Sequence, residues 1–172
     1  ALYMAEFVET YAYCLMPNHF HLLVKIKPKD SFPAKTSPDF PTAADLREQS
    51  AGAIVAERFR RCLMGYSKAI NKQQNRTGSL FQKVFKRKEV NNDRYFTQLI
   101  HYIHRQPSHH GFVHLTDEDY PWSSYPAFLS EKPTRLQRTQ VMDWFGDKAA
   151  FVRFHRQNQD LKTIRDWMIE EE

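Results

Sequence analysis

The chain has 172 residues, 41% of them hydrophobic, so it can bury one sizeable core; a single domain is expected and a disulfide-stapled miniature is excluded. Its 25 Lys and Arg outnumber its 20 Asp and Glu, and the resulting net charge of +5 suits a polyanionic partner. No window has the length of a membrane span, no secretory leader is recognisable, and Cys14 and Cys62 lack CxxC spacing and read as reduced core thiols, so the expected setting is cytoplasmic.

Residues 6–16 read as a strand, and the tight turn at Pro17-Asn18 leads into a second strand over 19–26, giving an antiparallel hairpin. Pro28, Pro33, Pro38 and Pro41 make 28–42 a loop. Thr42 is placed to cap a helix that runs to about Gln74, with an interruption near Gly52. Its later part turns Ile54, Val55, Phe59, Leu63, Tyr66 and Ile70 inward, and Arg58, Arg61, Lys68 and Lys72 outward. A turn at Arg76-Thr77-Gly78 precedes a short strand from Leu80 to Val90. Residues 94–106 predict a helix, capped from Asn91, Asn92 or Asp93 and stopped by Pro107. Phe96, Leu99, Ile100 and Ile103 form its buried stripe. Gly111-Phe112-Val113, a turn region from Trp122 to Tyr125 and a mainly helical tail follow, with no internal repeat. This order suggests an α+β fold of the split βαβ type, with helices on one face of the sheet.

Two elements carry chemistry. In the strand over 19–26, Phe20, Leu22, Val24 and Ile26 share one face, while His19, His21, Leu23 and Lys25 share the other. The two imidazoles therefore leave the sheet on the same side, about 7 Å apart. On the helix, Tyr102 and Gln106 lie four apart and are neighbours at the edge of the apolar stripe. A helix packed on the histidine face would present both to the imidazoles. Taken singly, each has a plainer reading: half-buried histidines, a core-rim tyrosine, a surface glutamine. It is their combination that is specific.

Lys83, Lys86, Arg87 and Lys88 form a basic segment suited to phosphate contacts, or equally to a strand edge protected by charge. Lys25, Arg60, Arg61, Arg76 and Arg105 are further candidates for DNA contact. His101, His104, His109, His110 and His114 crowd one region without persuasive metal-ligand spacing, and most are expected to be exposed. Trp122 and Tyr125 are expected to anchor the tail on the body rather than stack on bases.

The stretch Met16-Pro17-Asn18-His19-Phe20-His21-Leu22-Leu23, then Arg76-Thr77-Gly78-Ser79-Leu80-Phe81-Gln82, then Tyr102-Ile103-x-x-Gln106-Pro107, resembles the single-tyrosine HUH transposases of small insertion sequences. Tyr120-Pro121-Trp122-Ser123-Ser124-Tyr125 and Phe151-Val152-Arg153-Phe154 resemble one branch, the REP-associated tyrosine transposases. The resemblance covers roughly residues 8–28 and 56–155. It implies a ferredoxin-like sheet, His19, His21 and Gln106 as ligands of Mg²⁺ or Mn²⁺, and Tyr102 as the nucleophile. The implied reaction is cleavage and rejoining of single-stranded, hairpin-flanked DNA through a 5′-phosphotyrosine, in a bacterial, nucleoid-associated enzyme. Many REP-associated members carry Asn where this chain has Gln106. Tyr95 is a rival nucleophile, but it lies about 16 Å along the helix axis from Gln106, against about 6 Å for Tyr102.

The family's usual first strand has no counterpart after Ala1-Leu2-Tyr3-Met4, so a segment preceding Ala1 is expected. The stretch 28–49 is longer than the family implies and reads as a loop insertion. The expected organisation is a nuclease domain over 1–119 with a helical extension over 120–172. The resemblance leaves monomer and homodimer open, because the long tail favours the first and Gln106 the second. Two other functions remain: a domesticated, non-catalytic DNA-hairpin binder, and an RNA-binding module of similar fold.

Overall fold

The computed structural model of the chain describes residues 4–33, 40–81, 85–92, 95–111, 120–157, 162, 164–165 and 168. Lys83, Gln82, Asp93, Phe112, Val113 and His114 lie outside the described residues. The fold is α+β. A two-stranded antiparallel sheet pairs β1 (Val8–Leu15) with β2 (Phe20–Ile26). After a 3₁₀ turn at Lys29–Ser31 come α1 (Ala43–Glu48), α2 (Ala51–Gln73), α3 (Phe96–His104), α4 (Gln106–His109), α5 (Tyr125–Leu129), α6 (Arg138–Phe145) and α7 (Lys148–Arg156). The chain divides into two compact units, residues 1–9 with 25–86, and residues 10–24 with 87–172.

In the first unit, the expected long helix is interrupted near Gly52, at Gln49-Ser50. Thr42 caps α1 in a reciprocal box: its hydroxyl accepts from the Asp45 N–H at 3.1 Å, and the Asp45 carboxylate accepts from the Thr42 N–H at 2.8 Å. Gln49 then turns extended, and Ser50 starts α2 by accepting from the Ala53 N–H at 3.2 Å. A second capping hydroxyl competes with helix continuation, so the break falls at the serine, and Gly52 sits inside the first turn. Along α2, Ile54 and Val55 are buried as expected, but Tyr66 is 54% exposed. Arg58, expected outside, is 3% exposed. Its guanidinium lies 5.5 Å from the Phe7 ring centre and 5.9 Å from that of Phe40, so aromatic faces receive the cation and apolar atoms cover its stem. The expected strand from Leu80 to Val90 is absent among its described residues. Lys86, Arg87, Lys88 and Glu89 are all exposed, so no alternating buried face holds a strand there.

In the second unit, Tyr11, Ala12, Cys14 and Met16 pack against Leu99, Ile100 and Ile103 of α3, with Tyr125, Phe128, Val141 and Phe151 from the later helices. The other edge of β1 is bordered by irregular chain: the Leu15 N–H donates to the Trp122 carbonyl at 2.9 Å, and the Gln137 N–H donates to the Thr10 carbonyl at 3.0 Å. Trp122 is thus held through its backbone, and its side chain is 63% exposed, contrary to the expected anchor. Tyr125 does anchor, 1% exposed and stacked on Phe151 with ring centres 5.4 Å apart. Gly146 turns the chain between α6 and α7 at φ +93°, a conformation that favours glycine.

The helix α3 starts after Tyr95, whose side chain makes no capping hydrogen bond, and the Tyr95 N–H donates to the Asn92 carbonyl at 3.4 Å. Pro107 does not stop the helical path. Arg105 keeps a helical backbone, and α4 begins at once, with Pro107 in its first turn where a missing N–H is tolerated. The ladder resumes as the His109 N–H donates to the Arg105 carbonyl at 2.9 Å and the His110 N–H to the Gln106 carbonyl at 3.0 Å.

Candidate active site

His19, His21, Tyr102 and Gln106 all belong to the second unit. The hairpin turn is closed by the Met16 N–H donating to the His19 carbonyl at 2.8 Å. This holds His19 at the mouth of β2. Its Nδ1 lies 2.8 Å from Asn18 Oδ1, an acceptor that fixes the proton on Nδ1 and places the ring's lone pair on Nε2. The His19 and His21 ring centres are 5.1 Å apart and nearly perpendicular. The helix lies on the histidine face: the Tyr102 ring stands edge-on to His21, centres 5.7 Å apart. Leu23 on the same face joins the core, while Leu22 on the opposite face is 36% exposed.

Gln106 is 1% exposed. Its Nε2 donates to the Tyr102 carbonyl at 3.2 Å, which leaves Oε1 as the acceptor for its side-chain hydrogen bond with His21. Burial, with the neighbouring His19 and His110, lowers the His21 pKa to about 4, against the weaker opposing effect of Gln106. His21 is therefore a neutral imidazole at pH 7. Tyr102 is itself 7% exposed. Tyr95, the rival, is half-buried at the start of α3 and packs against the same core.

The candidate donors are two imidazoles and one amide oxygen; a carbonyl oxygen suits Mg²⁺ or Mn²⁺, and an imidazole suits transition metals. His21 and Gln106 lie within hydrogen-bond reach of one another, and Asn18 orients His19 from behind. Among the described residues, no three His, Cys, Asp or Glu side chains already stand in ligand positions.

The cationic candidates fall in both units. Lys25, Arg60, Arg61, Arg76 and Lys86 belong to the first; Arg87, Lys88 and Arg105 belong to the second. Lys25, Arg76, Lys86, Arg87 and Lys88 are exposed, and Arg105 is half-buried. Arg60 and Arg61 both clasp Glu57, at 2.7 and 2.8 Å, and their hydrogen bonds hold its carboxyl down at about 2. Part of their charge is thus already balanced locally.

A second histidine cluster was not legible in the sequence. His101 and His104, expected to be exposed, are 4% and 0% exposed, and His155 of α7 joins them at 4%. His155 Nδ1 donates to the Phe151 carbonyl at 2.9 Å, so its Nε2 accepts from His104 Nδ1 at 2.9 Å. His104 Nε2 is then an acceptor, 2.7 Å from Ser124 Oγ. Ser124 also accepts from the Tyr13 N–H at 2.9 Å. A serine hydrogen-bonded to a histidine that is hydrogen-bonded to a second polar group is the arrangement of an activated nucleophile. Here Ser124 is 0% exposed, so no substrate reaches it and the chain of bonds serves the core. The spacing of His101 and His104 on the apolar side of α3 was the available signal.

A curated protein from Haemophilus influenzae, described as "Putative REP-associated tyrosine transposase", is 28% identical to this chain over 117 residues. The match covers 68% of this chain and 58% of that protein, so the chain spans less than two-thirds of the relative's length. No protein-family profile and no solved structure matches the chain. Among the described residues, no helix is long and apolar enough to cross a membrane.

Proposed function

We propose that the chain is a transposase-type enzyme of the single-tyrosine HUH kind, which nicks and rejoins single-stranded DNA beside a hairpin. The observation that carries this reading is the meeting of His19, His21, Gln106 and Tyr102 in one unit, with the Tyr102 ring 5.7 Å from that of His21. The relative named as a REP-associated tyrosine transposase supports the same class.

His19, His21 and Gln106 would hold a Mg²⁺ or Mn²⁺ ion. When bound, the ion polarises the scissile phosphate and stabilises charge on the leaving oxygen. The other steps belong to the chain's own residues. His21 offers a lone pair because burial keeps it neutral. Gln106, tied to the Tyr102 carbonyl one helical turn back, fixes the distance between the ion site and the tyrosine. Tyr102 Oη attacks phosphorus in line, the P–O3′ bond breaks, and the phenolic proton passes to solvent. The products are a 5′-phosphotyrosine and a 3′ end that takes up a proton to become 3′-OH. The linkage conserves the energy of the broken bond, so a second 3′-OH reverses the step and joins strands. Arg87, Lys88 and Arg105, in the same unit, would contact the phosphate backbone and make binding salt-dependent.

The test is a denaturing-gel shift with labelled single-stranded hairpin DNA from the gene's own flanks, with Mn²⁺ or with EDTA. Wild type is expected to form a denaturation-resistant adduct only with metal. Tyr102→Phe is expected to bind the DNA without forming it, and Tyr95→Phe to form it normally. An adduct that survives in Tyr102→Phe overturns the assignment. Tight binding with no adduct across all flanking sequences replaces it with a non-catalytic hairpin binder.

A further inference from the structure

Trp122 is firmly held by its backbone, yet its side chain faces solvent. Cys14 and Ser123 form an antiparallel bridge, flanked by the Leu15 N–H donating to the Trp122 carbonyl and the Ser124 N–H donating to the Tyr13 carbonyl, both at 2.9 Å. Side chains alternate along extended chain, so Cys14 and Ser123 turn to one face, Leu15 and Trp122 to the other. Burial follows that division: Cys14 and Ser123 are 0% and 2% exposed, Leu15 and Trp122 are 42% and 63% exposed. The hairpin turn pairs Met16 with His19, so Leu15 stands opposite Phe20. Trp122, Leu15 and Phe20 therefore form a row across the turn end of the sheet, on the face opposite the imidazoles. At about 4.8 Å between neighbouring chains, the Trp122 backbone lies about 10 Å from Phe20, the chain neighbour of His19.

We propose that Trp122 is a stacking platform for one unpaired base of the single strand, close to the scissile phosphate. This rests on the DNA-processing reading put forward above. A strand that leaves the imidazoles round the Pro17-Asn18 end passes over the row. The indole offers a π-face to any base, and its few side-chain torsions keep the entropy cost of stacking low. Leu15 beside it extends the apolar surface under the base. The indole is not needed as an anchor, because the Tyr120 hydroxyl donates to the Leu15 carbonyl at 2.7 Å and Tyr125 is buried. Charge agrees with this occupant. The chain carries a net +5, and the exposed Arg87 and Lys88 of the same unit can meet the flanking phosphates. A protein partner fits less well: an indole presents about 150–250 Å², whereas a stable interface buries about 800 Å² on each side.

Equilibrium binding of labelled single-stranded hairpin DNA from the gene's own flanks tests this on wild type, Trp122→Phe and Trp122→Ala. EDTA is present so that no adduct forms, and each unpaired flanking nucleotide is replaced in turn by an abasic one. Trp122→Ala is expected to bind the intact DNA roughly 5–150-fold more weakly, and Trp122→Phe to keep most of the affinity. The salt dependence and the urea midpoint should match wild type, because the indole neutralises no phosphate and lies outside the core. One abasic position should weaken wild type by a similar factor and leave Trp122→Ala unaffected. Wild-type-like affinity in Trp122→Ala, or no abasic position at which the two proteins differ, overturns the role of Trp122 and leaves the transposase reading standing. The base-dependent loss in a wild type that forms no adduct with Mn²⁺ keeps the role and removes the enzyme. No DNA binding by wild type overturns both.

Discussion

At the scale of single residues, Ser124 carries more than its size implies. Its hydroxyl accepts from the Tyr13 N–H and meets His104 Nε2 at 2.7 Å, and no described residue caps α5 through it. The hydroxyl has one proton and two neighbouring acceptors, His104 Nε2 and the Tyr13 carbonyl at 3.1 Å. The shorter contact takes it, because His155 already fixes the His104 proton on Nδ1. Ser124→Ala leaves a buried amide and a buried imidazole nitrogen without that partner. Each such group costs about 1–3 kcal/mol, so the variant is expected to lose roughly 2–6 kcal/mol in urea unfolding. An unchanged unfolding midpoint would show that the bonds through Ser124 do not hold the core. Tyr102 belongs to the same helix but points to the other histidine pair, so the loss should be one of stability, with the Tyr102 adduct still formed by the folded fraction.

At the scale of elements, α2 contains a weak point that can be repaired. Gly65 sits in the interior of this 23-residue helix, is exposed, and a Cβ added there meets nothing within 4 Å. Gly65→Ala is therefore expected to raise stability by about 0.5–1 kcal/mol, because alanine loses less backbone freedom on folding. A fall in the urea midpoint would mean that this face of α2 is already in use. The elements also divide by how far their residues announce them. The hairpin was legible because Pro17-Asn18 makes a turn and the alternation of His19, Phe20, His21 and Leu22 sets the histidine face. The stripe of Leu99, Ile100 and Ile103 likewise placed α3 on its buried side. The break between α1 and α2 was legible near Gly52, although the residue that decides it is the capping Ser50. Pro107 was read as a stop, but the chain needs only a tolerated first-turn position to go on. Arg58 was read as outward from its charge; the aromatic rings that receive it come from Phe7 and Phe40, far off in sequence. The candidate ligands were legible as a pattern of strand and helix spacing. The buried bonds of His104 and His155 were not, since they depend on a contact across 51 residues.

At the scale of the whole molecule, the histidines make stability depend on pH in a window that carboxylates do not reach. Burial lowers His21 and His101 to about 4 and His155 to about 3, and puts His104 well below its ordinary value. All are neutral in the folded protein at pH 7. In the unfolded chain each regains a pKa of about 6.5. Between about pH 6.5 and 4 the unfolded state therefore binds more protons, so stability falls with pH across that range. Glu57, held near 2 by Arg60 and Arg61, acts only below its ordinary range near 4.5, and its exposure to solvent keeps that effect small. His101 is the position that isolates the effect. Neither ring nitrogen has a hydrogen-bond partner of good geometry, although backbone of His155 and Gln157 lies close enough to favour its cation. His101→Leu removes the titration and orphans no partner of its ring. The urea midpoint of wild type is expected to drop between pH 6.5 and 5, and the drop should be smaller in His101→Leu, with equal or higher stability at pH 5. A wild-type midpoint that stays level from pH 7 to 5 would mean that the buried histidines gain their protons without unfolding the core around them.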